Sequence, residues 1–165
     1  MKIFLCAIIV FVSGLIGINY KSVIYKKYQL FSEINAFLHF ILIKIAFFQD
    51  TYAECLQNFI NTQHLKNKNF FQNVLSLIQC GKLTRESMLE HLNNRGLTNE
   101  EKVEIYDVFS SIGTTDLLNQ NQILNGHIKH LEHKLKMLDE LKKTKGDVVS
   151  KLSICIGLVI CILIY

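Results

Sequence analysis

The chain has 165 residues, of which 50% are hydrophobic and 19% charged, with a formal net charge of +4. Charged residues usually make up about a quarter of a soluble domain, so the composition leans away from an ordinary soluble protein. Proline and tryptophan are absent, and the five cysteines form no CxxC pair. They read as small apolar side chains and exclude a disulfide framework or a thiolate metal site.

The first 20 residues carry one charged side chain, Lys2, and residues 3–20 carry none. Helical rise makes that run about 27 Å long, close to the hydrocarbon thickness of a bilayer. A cleaved signal peptide is the competing reading: Ser13, Gly14 and Gly17 are small, but no clean A-x-A-like site follows. Residues 152–165 are again uncharged. Extending that helix back to residue 148, with Lys151 snorkelling, also gives about 27 Å. The expectation is an N-terminal transmembrane anchor over 1–20, a helical domain over 21–147 and a C-terminal transmembrane helix over 148–165.

Lysines sit on the inner flanks of both apolar ends: Lys21, Lys26 and Lys27 after the first, Lys142, Lys143, Lys145 and Lys151 before the second. The positive-inside bias then places the middle domain in the cytoplasm. The positive charge reads as a topology and lipid-headgroup signal, not a nucleic-acid footprint, because no aromatic-basic motif accompanies it. Each apolar end also holds a small pair at i, i+4: Ser13 with Gly17, and Ser153 with Gly157. Such pairs let helix backbones approach closely in lipid.

Between the ends the pattern is helical throughout. Residues 28–48 place apolar side chains at 30, 31, 34, 37, 38, 41, 42, 45 and 48, an amphipathic stripe that continues from the first apolar run. Thr51 and Glu54 fit a capping box opening a helix to about Asn61, followed by a polar loop over 61–69. A short helix over 70–79 turns Phe71, Val74, Leu75 and Ile78 inward and stops at Gly81. Thr84 caps the next, with Met88, Leu89 and Leu92 inside and Gly96 ending it. Thr98 and Glu101 form a second capping box before Val103, Ile105, Tyr106 and Phe109, and Gly113 breaks that helix. Asp116 and Gln120 then offer either a cap or a docking face.

The last cytoplasmic helix, from about 115 to 143, repeats Leu117, Asn121, Leu124, Ile128, Leu131, Leu135 and Leu138 in alternating steps of four and three. That is the seam of coiled-coil-like packing, to be covered by an antiparallel helix of the same chain or by a second copy. No run shows sustained period-2 alternation. The fold expected is an all-α antiparallel bundle flanked by the two transmembrane helices.

Catalytic chemistry is hard to place. His127, His130 and His133 are spaced three apart, so their side chains fan over roughly 120° and do not converge as metal ligands do. A metal-dependent enzyme on that fan is the weaker alternative to a non-enzymatic protein, and no cofactor is expected.

The second half resembles a known family. Leu97-Thr98 with Glu100-Glu101 opens a helix; Phe109, Ile112 and Gly113 follow, then Asp116, Gln120 and Ile123. This is similar to the stage III sporulation protein AB family of endospore-forming bacteria, which also has a first apolar anchor and a final apolar helix with a leucine and a glycine, here Leu152 and Gly157. The family's E-I-x-Y-G-x-T-P-L run corresponds to residues 44–52, with Gln49 for the glycine and Tyr52 for the proline, and Gln122 stands where a histidine is common. The resemblance implies a structural component of the channel-like complex between mother cell and forespore. It further implies a soluble domain similar to the cytoplasmic domain of type II secretion platform proteins, and a secretion-type ATPase and other channel proteins as partners.

Overall fold

The computed structural model describes residues 2–48, 51–114 and 117–164. Every element among them is helical: α1 (Lys2–Phe48), α2 (Tyr52–Thr62), α3 (Lys68–Gln79), α4 (Arg85–Leu92), a single 3-10 turn (Asn93–Arg95), α5 (Asn99–Ser110) and α6 (Leu117–Ile164). Two compact units divide the chain. Unit 1 is Met1–Tyr28 with Lys136–Tyr165, and unit 2 is Gln29–Leu135.

The two apolar ends are not separate helices. They are the terminal parts of α1 and α6, which run 47 and 48 residues. Among the described residues no helix is long and apolar enough to cross a membrane. The flanking transmembrane helices expected from the sequence therefore do not stand out as elements of their own. A drop in charge density does not end a helix; only competing caps, glycine or proline do, and this chain has no proline.

In unit 2, α1 buries Leu30, Phe31, Ile34, Phe37, Leu38 and Ile41, the face its sequence spacing defines. Phe37 is the hub. Its ring centroid lies 5.1 Å from Phe59, 5.7 Å from Phe109, 6.1 Å from Phe71 and 6.3 Å from Tyr52. Offset and edge-on ring pairs at these separations are favourable beyond simple burial. The Tyr52 hydroxyl is enclosed there without a hydrogen-bond partner, and burial pushes its pKa well above the ordinary value. Phe70, which the periodicity leaves outside the inward set of α3, is also fully buried, 5.7 Å from Phe109.

Three capping boxes set the helix starts. Thr51 accepts from the Glu54 amide while the Glu54 carboxylate accepts from the Thr51 amide at 2.9 Å, which holds the Glu54 pKa below its usual range. Thr84 pairs in the same way with Ser87, and Thr98 with Glu101, where the return bond is 2.8 Å. Each satisfies amides that the first helical turn leaves unbonded. Thr98→Ala is expected to cost about 1 kcal/mol, read as a lower urea midpoint with an unchanged slope.

Helix α2 ends later and α3 begins earlier than the polar composition suggests, so the loop shrinks to 63–67. Glu33, one face of α1 away, clamps it. Its carboxylate accepts from the backbone amides of Lys66 at 2.8 Å and Asn67 at 3.1 Å. Arg95 donates to Asn67 Oδ1 at 2.9 Å and lies over the Phe70 ring at 5.2 Å. Burial lowers the Arg95 pKa, and the Glu33 charge works against that shift.

The α6 seam is covered from within the chain. Leu124, Ile128 and Leu131 are buried. Lys134 Nζ sits 4.5 Å above the Phe31 ring, and His39 meets Glu132 at 3.7 Å. Positions fall along α1 as they rise along α6, so the two helices are antiparallel in unit 2. Those three seam residues pack within the chain itself.

A cleft between the fifth and sixth helices

The corner joining α5 to α6 is built by the residues just after Phe109. Gly113 adopts φ +80°, a left-handed conformation that a residue with a Cβ rarely takes. Its amide donates to Gln120 Oε1 at 3.0 Å, and Gln120 Nε2 donates to the Ser111 carbonyl at 3.3 Å. Gln120 is only 2% exposed. In this chain its carboxamide clamps the corner. Asp116, its proposed companion, lies outside the described residues.

Beside that corner a cleft of about 570 Å³ opens between α4, α5 and α6, lined by Arg85, Asn99, Glu100, Val103, Glu104, Asp107, His127 and His130. Positions 100, 103, 104 and 107 share one face of α5 because they are three and four residues apart. Glu104 forms an ion pair with Lys134, and its Oε1 lies 3.0 Å from His130 Nε2. Glu100 and Asp107 are exposed acids on the same wall.

His127 faces Ser111 at 3.1 Å from its Nε2. The Ser111 hydroxyl also lies 2.9 Å from the Val108 carbonyl; when it donates its one proton there, His127 Nε2 must carry the hydrogen to bond it. Burial pushes the His127 pKa below the ordinary 6.5, and the neighbouring His130 charge adds to this, while Asp107 and Glu104 oppose it. The folded state thus resists protonation, and stability is present above about pH 6.5 and falls as pH drops toward the depressed folded value. His127→Gln is expected to flatten the loss of melting temperature between about pH 7 and 5. An unchanged pH profile in this variant would assign that loss to other groups.

The three histidines of α6 do not converge. His127 turns to Ser111, His130 pairs with Glu104, and His133 is exposed. Among the described residues no group of three or more histidines, cysteines or acids is placed to hold a metal.

The other residues marked in the sequence lie as follows. Asn121 is half-buried on α6, with its side-chain oxygen enclosed and unpaired. Leu135 is half-buried and Leu138 buried, whereas the surroundings of Leu117 are outside the described set. Ser13 and Ser153 are half-exposed on α1 and α6, Gly157 is buried, and the surroundings of Gly17 are likewise outside that set. Sequence reasoning missed Glu33, Lys102 and the acid wall of the cleft. Lys102 is buried, with Nζ donating to Asn93 Oδ1 at 2.8 Å. The one signal for the wall was the i, i+4, i+7 spacing of 100, 104 and 107.

No curated protein and no solved structure matches the chain. A family model, stage III sporulation protein AB, matches residues 2–165, and the residues on which the sequence resembles that family build the α5–α6 corner: the Thr98–Glu101 cap, Phe109 in the core, Gly113 in the turn and Gln120 upon it. The chain belongs to the stage III sporulation protein AB family and has a role related to sporulation.

Proposed function

We propose that the protein is a non-enzymatic structural component of the channel-like complex between mother cell and forespore, held to the mother-cell membrane, with its helical domain in the cytoplasm. In this reading it docks a secretion-type ATPase and other channel proteins. The observation that carries it is the family match over nearly the whole chain.

Membrane attachment is supported by what the ends of the long helices expose. Ile8, Phe11, Val12 and Leu15 on α1, and Leu152, Ile156, Val159 and Ile162 on α6, are all exposed. Apolar surface on that scale needs a lipid or protein cover. The small residues Ser13, Gly17, Ser153 and Gly157 fit close approach of the two ends in lipid. The α5–α6 cleft is the docking face in this reading, because its acid wall suits a basic partner surface.

Crosslinking and pull-down of the full chain from sporulating membranes tests the proposal. A secretion-type ATPase is expected among the recovered proteins, and recovery should fall at least tenfold in Glu100→Lys/Asp107→Lys. Recovery of no ATPase and no channel protein would sink the platform reading. Equal recovery with the double variant would move the docking face elsewhere.

A further inference from the structure

The two units divide the charge unequally. Unit 1 holds nine lysines against three acidic residues, a net of +6, whereas unit 2 holds nine basic and eleven acidic residues, a net of −2. The chain's excess positive charge thus belongs entirely to the unit that carries the apolar ends.

Within unit 1 that charge is interleaved with tyrosines. Lys142 Nζ lies 5.5 Å from the Tyr25 ring centroid and 5.1 Å from that of Tyr28. A cation over an aromatic face at such distances is held by the ring quadrupole. Asp139 offsets part of the local charge, reaching Lys143 at 2.6 Å and Lys142 at 3.8 Å. Tyr20 and Tyr25 are exposed, as are Lys26 and Lys151. Tyrosine and lysine together are the side chains that favour the headgroup layer, where a ring meets the acyl boundary and an ammonium meets phosphate.

The spacing along both helices agrees. From the Tyr25–Lys142 contact, ten residues back along α1 reach exposed Leu15, and ten forward along α6 reach exposed Leu152. Helical rise makes each step about 15 Å. Going outward from that contact, both helices pass from the basic-aromatic zone into exposed apolar surface.

We infer that this zone of unit 1, centred on Tyr20, Tyr25, Tyr28, Lys26, Lys142 and Lys151, is a headgroup-binding belt selective for anionic phospholipids. The inference deepens the membrane attachment proposed above and rests on it. It adds that the attachment reads lipid charge, not only apolar thickness.

The test uses the purified full chain and two vesicle compositions, phosphatidylcholine alone and phosphatidylcholine with about 30% phosphatidylglycerol. Each lysine near an anionic surface contributes about 1 kcal/mol, which for three lysines is about a hundredfold in partitioning. The anionic vesicles are therefore expected to bind the chain far more tightly than neutral ones. Raising the salt to about 0.5 M should erase most of that preference by screening. Lys26→Gln/Lys142→Gln/Lys151→Gln should weaken binding to the anionic vesicles by about a hundredfold and leave binding to the neutral ones unchanged, with an unchanged helical signal. The corresponding triple arginine variant should keep the preference, which guards against a folding defect. Equal binding of the wild type to both compositions overturns the belt and leaves the apolar attachment standing. Binding to neither overturns the attachment and the belt together. A nucleic-acid duplex that displaces the chain from anionic vesicles would assign the basic surface to nucleic acid and overturn the lipid assignment.

Discussion

Phe37→Ala is expected to destabilise the protein by about 3–5 kcal/mol, the largest loss of any single substitution considered. The ring is fully buried and lies within 6.3 Å of four other aromatic rings, from α2, α3 and α5 and the first residue of α2 itself, Tyr52. Removing it takes away the transfer free energy of the ring and leaves a hole that rigid aromatic neighbours fill poorly. Phe37→Leu keeps most of the volume and should cost about 1.5 kcal/mol. Urea unfolding of the full chain in detergent, followed by helical circular dichroism, measures both. A loss under about 1 kcal/mol for the alanine variant would mean that the aromatic cluster closes over the gap and Phe37 is no hub.

How far the fold can be read from sequence depends on the range of the interaction. The capping boxes at Thr51 and Thr98 were legible because the bonds span three residues and need fixed residue types. The core face of α1 was legible because burial follows helical period. Interactions between distant positions left no trace. Nothing in the sequence tells that Glu33 holds the amides of Lys66 and Asn67, more than thirty positions away. Lys102 reads as a solvated residue, yet its stem is buried and its ammonium reaches Asn93. The continuity of α6 through residues 143–148 was misread because a change of composition was taken as a change of element.

The candidate cleft divides in the same way. The histidines of α6 were visible as a fan, and in the structure His127 and His130 share the cleft with different partners while His133 is exposed. Their partners were invisible: Ser111 sits sixteen positions before His127, and Glu104 belongs to another helix than His130. The residues that carry the resemblance share one physical meaning in this chain. Thr98 and Glu101 start α5, Gly113 turns the chain, and Gln120 holds the turn. Together they specify a corner between helices, and the cleft opens beside that corner.

Gln120→Ala should therefore act on stability first. The carboxamide accepts from the Gly113 amide at 3.0 Å and donates to the Ser111 carbonyl at 3.3 Å, in a position 2% exposed. Truncation removes both bonds from a turn whose Gly113 is exposed, and two such bonds together contribute about 1–3 kcal/mol. Gln120→Glu keeps the acceptor for Gly113 but loses the donor and turns a carboxylate toward the Ser111 carbonyl. It should be destabilising near neutral pH and recover partly in acid, as the carboxyl protonates and becomes a donor again. Gly113→Ala provides the matched control. A Cβ there meets nothing within 4 Å, so its cost is conformational, about 1–2 kcal/mol for the positive φ. Unfolding midpoints of the three variants, measured beside recovery of partner proteins, separate clamp from docking surface. If Gln120→Ala melted like the wild type while losing its partners, the glutamine would be reaching outward in the assembled complex, and the clamp would be wrong.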